Sequence, residues 1–155
     1  MLPLDSPRWS TLASSVGNGQ ESADSLAKLK PLLLNPEDPN FSQYFDELGY
    51  IVEDLDHQQS TYPATMAAMP HFVEVAEKLP LDYKIQLLSW IAMMHYDGAG
   101  RRTKKADLVK WYKASIQIAK NWNESVLTSG DKIAFYQQIM LLESAYLLNL
   151  SLIHI

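Results

Sequence analysis

The chain has 155 residues, of which 47% are hydrophobic and 20% are charged, a composition typical of a soluble globular domain. Its formal net charge is -5, and because an acidic surface repels phosphate backbones, nucleic acid is a disfavoured partner. The chain contains no cysteine, which excludes disulfides, thiolate nucleophiles and cysteine-ligated metals and favours a cytoplasmic location.

The first third of the chain predicts three helices separated by strong breakers. The first, at about 7–16, has apolar residues at i, i+3, i+4 and i+7, namely Trp9, Leu12, Ala13 and Val16. The glycines of segment 17–19 should end it. A second helix begins near Ser22, and Pro31 should kink or end it because proline lacks an amide donor. A third helix is expected at about 42–54.

Four further helices are predicted in the rest of the chain. The segment 55–79 is its centre and holds a helix at about 62–78, which Pro70 should bend. Asp82 is predicted to cap a fifth helix that ends near Tyr96 and is apolar around most of its circumference, as expected for a helix packed between neighbours. The last two helices are expected at about 106–127 and 132–149. Because no segment alternates with period two, we expect no strands and an all-α fold.

A short internal similarity favours a repeat architecture. The segment 73–78 aligns with 116–120 at an offset of about 43 residues, within the range of roughly 40–47 for HEAT-type helical repeats. Each segment lies in the first helix of a candidate antiparallel pair, 62–79 with 82–96 and 106–127 with 132–149. We therefore predict an α-α superhelix of stacked antiparallel helix pairs, with a compact helical bundle as the alternative.

Several stretches of the sequence also resemble a known family. The opening Leu-Asp-Ser-Pro-Arg-Trp at 4–9, the His-Gln pair at 57–58 and the segment 62–73, which reads YPATMAAMPHFV, resemble a family of uncharacterised bacterial HEAT-repeat-like proteins. The chain has Gln59 where the family pattern has glycine and Phe72 where it has leucine. The resemblance spans about residues 4–149. It implies an intracellular α-α superhelix and no particular reaction.

The C-terminal segment 139–155 is apolar, but Glu143 and Asn149 interrupt it and no basic residues flank it, so we reject a membrane anchor. The last six residues, LSLIHI, are what CTG TCT CTT ATA CAC ATC encodes, one frame of a transposon mosaic end used in sequencing adapters. We therefore expect a single HEAT-like domain at 1–149, truncated at its C-terminus, and a non-native tail at 150–155.

Polar residues around the central segment are the candidate binding site. His57 and Gln58 precede a helix start, and they either face a ligand or partner or bond the backbone groups left open at the end of the preceding helix. His71 either contributes to binding or bonds Glu74 on the same polar helix face. We select His57, Gln58, Tyr62 and His71 as candidate binding residues.

No metal or cofactor site and no catalytic residue is predicted. The histidines lie too far apart in sequence to form a paired metal motif on one helix turn. His95 is expected to be a satisfied histidine near a helix C-terminus, where the helix dipole favours the imidazolium.

Two further sets of side chains each allow two interpretations. The basic loop, which contains Arg101, Arg102, Lys104 and Lys105, either contacts an anion or nucleic acid or is a solvated loop. The aromatic residues either line a groove or pack in the core, and they comprise Trp90, Trp111, Tyr112, Trp122 and Tyr136.

These patterns predict a non-enzymatic protein–protein interaction module of HEAT-like solenoid type. By analogy of fold, a toxin-neutralising (immunity) role in a bacterium is one form of that function. The alternative is a nucleic-acid-binding HEAT-like protein that uses the loop 101–105. An enzyme that uses His57 or His71 is a third hypothesis.

Overall fold

The computed structural model describes residues 1–15, 17–57, 62–96, 103–130 and 132–148. This part of the chain is all-α, as predicted. Its helices are α1 (Gln20–Leu33), α2 (Phe41–Leu55), α3 (Pro63–Lys78), α4 (Leu81–Tyr96), α5 (Ala106–Thr128) and α6 (Phe135–Leu147). None of these described helices is long and apolar enough to cross a membrane. Gln58 and the tail at 150–155 lie outside the described residues.

The helices pack as successive pairs in two layers, which confirms the predicted repeat-like arrangement. Only Leu79 and Pro80 separate α3 from α4, so these helices run antiparallel. The most extensive contacts between pairs join α3 to α5 and α4 to α6, so like-placed helices stack on each other. At the other end of the array, α2 reaches α4 through Phe45, whose ring stacks on Trp90 with a centroid distance of 5.0 Å.

Helix α3 is the most central element. It contacts α1, α4, α5 and the N-terminal segment, and most of its residues are buried. Ala67 and Ala68 are fully buried, and their small side chains leave room for the neighbouring helices. The helix continues through Pro70 without interruption. The fifth predicted helix, α4, packs between neighbours as expected, since it contacts α3, α5 and α6, and it leaves Met93 40% exposed.

The prediction of an α-helix at 7–16 is wrong. A 3-10 helix occupies Pro7–Thr11, followed by a two-stranded antiparallel ladder of β1 (Ala13–Ser14) and β2 (Gly17–Asn18). The backbone of Gly17 has a φ of 130°, which side chains of L residues resist, so the chain reverses there instead of extending a helix. The expectation of no strands is therefore also wrong for this short ladder.

Three helix boundaries differ from the predictions. Helix α1 continues past Pro31, which lies in its last turn and removes a single backbone bond, while Leu33 beyond it remains buried. Helix α4 begins one residue before Asp82, because the Pro80 carbonyl already accepts the Lys84 amide at 2.9 Å. Helix α6 begins at Phe135, three residues later than expected.

Candidate functional site

His71 is buried in the interior rather than displayed on a polar helix face. Its side chain is 3% exposed, and its Nε2 lies 2.8 Å from the carbonyl oxygen of Leu2. Its Nδ1 lies 3.5 Å from the Lys30 ammonium group. A neutral ring satisfies both contacts, since Nε2–H donates to Leu2 and the Nδ1 lone pair faces Lys30. Both ring nitrogens of this candidate binding residue are therefore engaged within the fold.

Lys30 links His71 to Glu74. Its ammonium group donates to Glu74 Oε2 at 2.6 Å, which joins α1 to α3, so the expected direct bond between His71 and Glu74 is replaced by one through Lys30. Burial is the main cause that lowers the pKa of His71 below its usual value, and the Lys30 charge acts in the same direction. The Leu2 carbonyl opposes this shift, but the net effect still favours the neutral ring.

The opening motif meets the central motif at this point. The fully buried Trp9 indole donates to the carbonyl oxygen of Pro3 at 2.8 Å, and its ring centroid lies 6.4 Å from that of His71. The next-door Arg8 guanidinium makes two hydrogen bonds to the Asp107 carboxylate in the first turn of α5, one of them at 2.9 Å. The opening segment and the segment 62–73 thus form one structural junction.

The ion pair in this junction changes the acidity of the carboxyl group. Hydrogen bonding from Arg8 lowers the pKa of Asp107 to about 2, and the carboxylate raises the pKa of the guanidinium in turn. Both side chains are about one-third exposed, so solvent screens the pair and its contribution to stability is small.

The corner between α2 and α3 holds the other candidates. His57 is exposed just after α2, and Tyr62 is partly buried as the residue before α3. The residue that ties the corner together is Thr65, whose buried hydroxyl donates to the Leu55 carbonyl at 2.5 Å and accepts the Tyr62 amide at 3.0 Å. Sequence reasoning missed Thr65 because the usual capping signal has serine or threonine at the N-cap and glutamate or glutamine three residues later, whereas here Tyr62 is the N-cap and Thr65 is the third helical residue.

His95 is a hydrogen-bonded histidine in the last turn of α4, as predicted. Its Nδ1 lies 2.5 Å from the hydroxyl of Tyr112, which is 4% exposed. Burial raises the pKa of the Tyr112 phenol, so the hydroxyl stays protonated in this hydrogen bond with His95.

The aromatic residues divide between the two predicted roles. Trp90 packs against Phe45, and Trp122 lies under the Lys84 ammonium group, 5.4 Å from its ring centroid. Trp111 instead lines a groove of about 310 Å³ between α3 and α5, together with Val73 and Ile118.

The described part of the chain does not bring together a site for a metal ion. Among the described residues, no group of three histidine, aspartate or glutamate side chains could hold a metal ion. Lys104 and Lys105 of the basic loop are exposed before α5, while Arg101 and Arg102 lie outside the described residues.

The most exposed apolar surface is the outer face of α6. Phe135, Ile139, Leu142 and Tyr146 lie at i, i+4, i+7 and i+11, and they are 76%, 49%, 43% and 66% exposed. The opposite side of the helix carries buried residues at the same spacing, namely Gln137, Leu141, Ser144 and Leu148. Helix α6 therefore has two opposite stripes, of which one packs on α4 and the other faces solvent. We call the solvent-facing set the α6 stripe.

No protein-family model, no curated protein and no solved structure matches this chain.

Proposed function

We propose that the protein is a non-enzymatic protein-interaction module built from HEAT-like helix pairs, and that the α6 stripe is its partner-binding surface. The observation that carries this proposal is that α6 exposes an apolar stripe on the side opposite the one that packs on α4. A helix of this kind normally lies between two neighbours.

The size and composition of the exposed face support the same proposal. The two aromatic side chains of the α6 stripe are 76% and 66% exposed and its two aliphatic ones 49% and 43% exposed, so together they present on the order of 500 Å². Apolar patches of this size on a monomer are often functional. Glu143 is the one charged residue of α6, so few charges interrupt this exposed face.

A matched pair of variants tests this surface. Ile139→Glu places a carboxylate at the centre of the stripe, whereas Gln138→Glu adds the same charge at the neighbouring exposed residue, which is outside the stripe. In affinity purification from cells of the source organism with the full chain as bait, we expect a specific protein to be lost with Ile139→Glu and retained with Gln138→Glu. Equal recovery with both variants would contradict the proposal.

Nucleic-acid binding through the loop 101–105 is the second candidate function, supported by the exposed Lys104 and Lys105. It predicts binding of a labelled DNA duplex that weakens as salt rises and that falls when both lysines are changed to glutamine. The net charge of -5 opposes it. Absence of binding at low salt would exclude it.

A further inference from the structure

We infer that the α6 stripe pairs with the same stripe of a second copy of this chain in an antiparallel two-fold contact. This inference rests on the proposed role of the stripe as an interaction surface. It adds that the molecule bound to the α6 stripe is a second copy of this chain.

The order of residues in the stripe supports a two-fold contact. The side chains run aromatic, aliphatic, aliphatic, aromatic (Phe135, Ile139, Leu142, Tyr146), and the intervals between them are four, three and four residues. Both the chemistry and the spacing read the same in either direction along the helix. A closed two-fold interface uses one surface patch on both subunits, so it requires this kind of self-complementarity.

Antiparallel pairing of the two stripes fixes which residues meet. Phe135 lies beside the partner's Tyr146, and Ile139 lies beside the partner's Leu142. The stripe spans about 16 Å along the helix at 1.5 Å per residue, so each copy brings three helical turns to the contact. The intervals of four and three residues are those of helices that interdigitate side by side.

The exposed area of the α6 stripe sets the expected affinity of the dimer. If each copy contributes on the order of 500 Å², the contact buries about 1,000 Å² in total, which is at the low end for specific interfaces. We therefore expect a reversible dimer that dissociates on dilution rather than an obligate one.

Sedimentation equilibrium of the full chain tests the stoichiometry. Between about 1 and 200 µM we expect the average mass to rise from monomer toward dimer and no further. Ile139→Glu should remain monomeric across this range, because it places two carboxylates in an apolar contact, while Gln138→Glu should dimerise like the unmodified chain. A monomer at every concentration, or association that continues beyond a dimer, would overturn the inference.

The absence of cysteine in the chain allows a direct test of the direction of pairing. Ile139→Cys and Leu142→Cys proteins, mixed under mild oxidation, should form a disulfide-linked dimer between the two variants faster than either forms one with itself. Faster linkage within the Ile139→Cys protein alone would indicate parallel helices and overturn the antiparallel contact.

The two proposals fail in different ways. A monomeric chain that still loses a captured protein through Ile139→Glu refutes the second-copy contact and leaves the partner-binding surface in place. A dimer without any captured protein supports the two-fold contact and counts against a separate protein partner.

Discussion

The substitution Gly19→Ala tests how closely the N-terminal segment packs on α3. A Cβ atom at Gly19 would lie 2.9 Å from the Cβ of Ala64 and 3.1 Å from Cε3 of Trp9. Neither atom moves easily, since the first is fixed to the backbone of α3 and the second belongs to a fully buried ring. Overpacking of this kind costs about 1–3 kcal/mol. Gly19 also precedes α1, where alanine is a poorer N-cap than glycine, which adds to the loss.

Gly49 provides the matched control. It lies in the interior of α2, and an added Cβ would be 3.4 Å from Cη2 of Trp90, an ordinary contact. Because alanine is the better helix former, Gly49→Ala should raise the free energy of unfolding by about 0.5–1 kcal/mol. The two substitutions are chemically identical, so the opposite signs come from the local packing and from the position, an N-cap for Gly19 and a helix interior for Gly49.

Urea denaturation followed by far-ultraviolet circular dichroism measures both effects. We expect the unfolding midpoint to fall for Gly19→Ala and to rise for Gly49→Ala, with little change in the denaturant dependence of the free energy. If Gly19→Ala were as stable as the unmodified chain, the close approach of the N-terminal segment to α3 would be refuted.

Three further predictions concern the junction and the corner. Because burial lowers the pKa of His71 below 6.5, the unfolded chain takes up a proton first, so the free energy of unfolding falls as the pH drops from about 7 to 5. His71→Gln should flatten this dependence in urea titrations, and an unchanged slope would contradict the assignment. Arg8→Met should raise the pKa of Asp107 from about 2 toward 3.8 in a carboxyl-resolved NMR titration, and a pKa that stays low would show that another group holds the carboxylate. Thr65→Val keeps the side-chain shape and removes the two hydrogen bonds of the buried hydroxyl, so it should lower the free energy of unfolding by about 1–3 kcal/mol. A loss below experimental error would show that this hydroxyl does not stabilise the corner between α2 and α3.

The sequence predicted the long helices well because their signals are local. Helices α2 and α5 end within about one residue of their predicted limits, since apolar periodicity and nearby breakers act within a few turns. The N-terminal segment was mispredicted because the spacing of Trp9 and Leu12 fits a 3-10 helix as well as an α-helix. Strands of two residues are too short to show alternation.

The candidate site was less predictable because its contacts are distant in sequence. His71 resembles a polar-face residue when only its helix is considered, but its partners are a backbone carbonyl at Leu2 and an ammonium group at Lys30. The pairing of Arg8 with Asp107 joins residues 99 positions apart. The α6 stripe was not predicted for another reason. Apolar periodicity identifies the apolar faces of a helix but does not indicate which of those faces packs against a neighbour.

The N-terminal junction also bears on the order in which the chain can fold during synthesis. The residues made first bond to α3 and to the first turn of α5, across 69 and 99 positions of sequence. The ribosome adds residues from the N-terminus onward, so the opening segment must wait for Asp107 before its last contact can form. Until then Arg8 lacks its ion-pair partner. The opening segment therefore completes its contacts last, although it is synthesised first. In a nascent chain that stalls before α5, this segment is still exposed to proteases and chaperones.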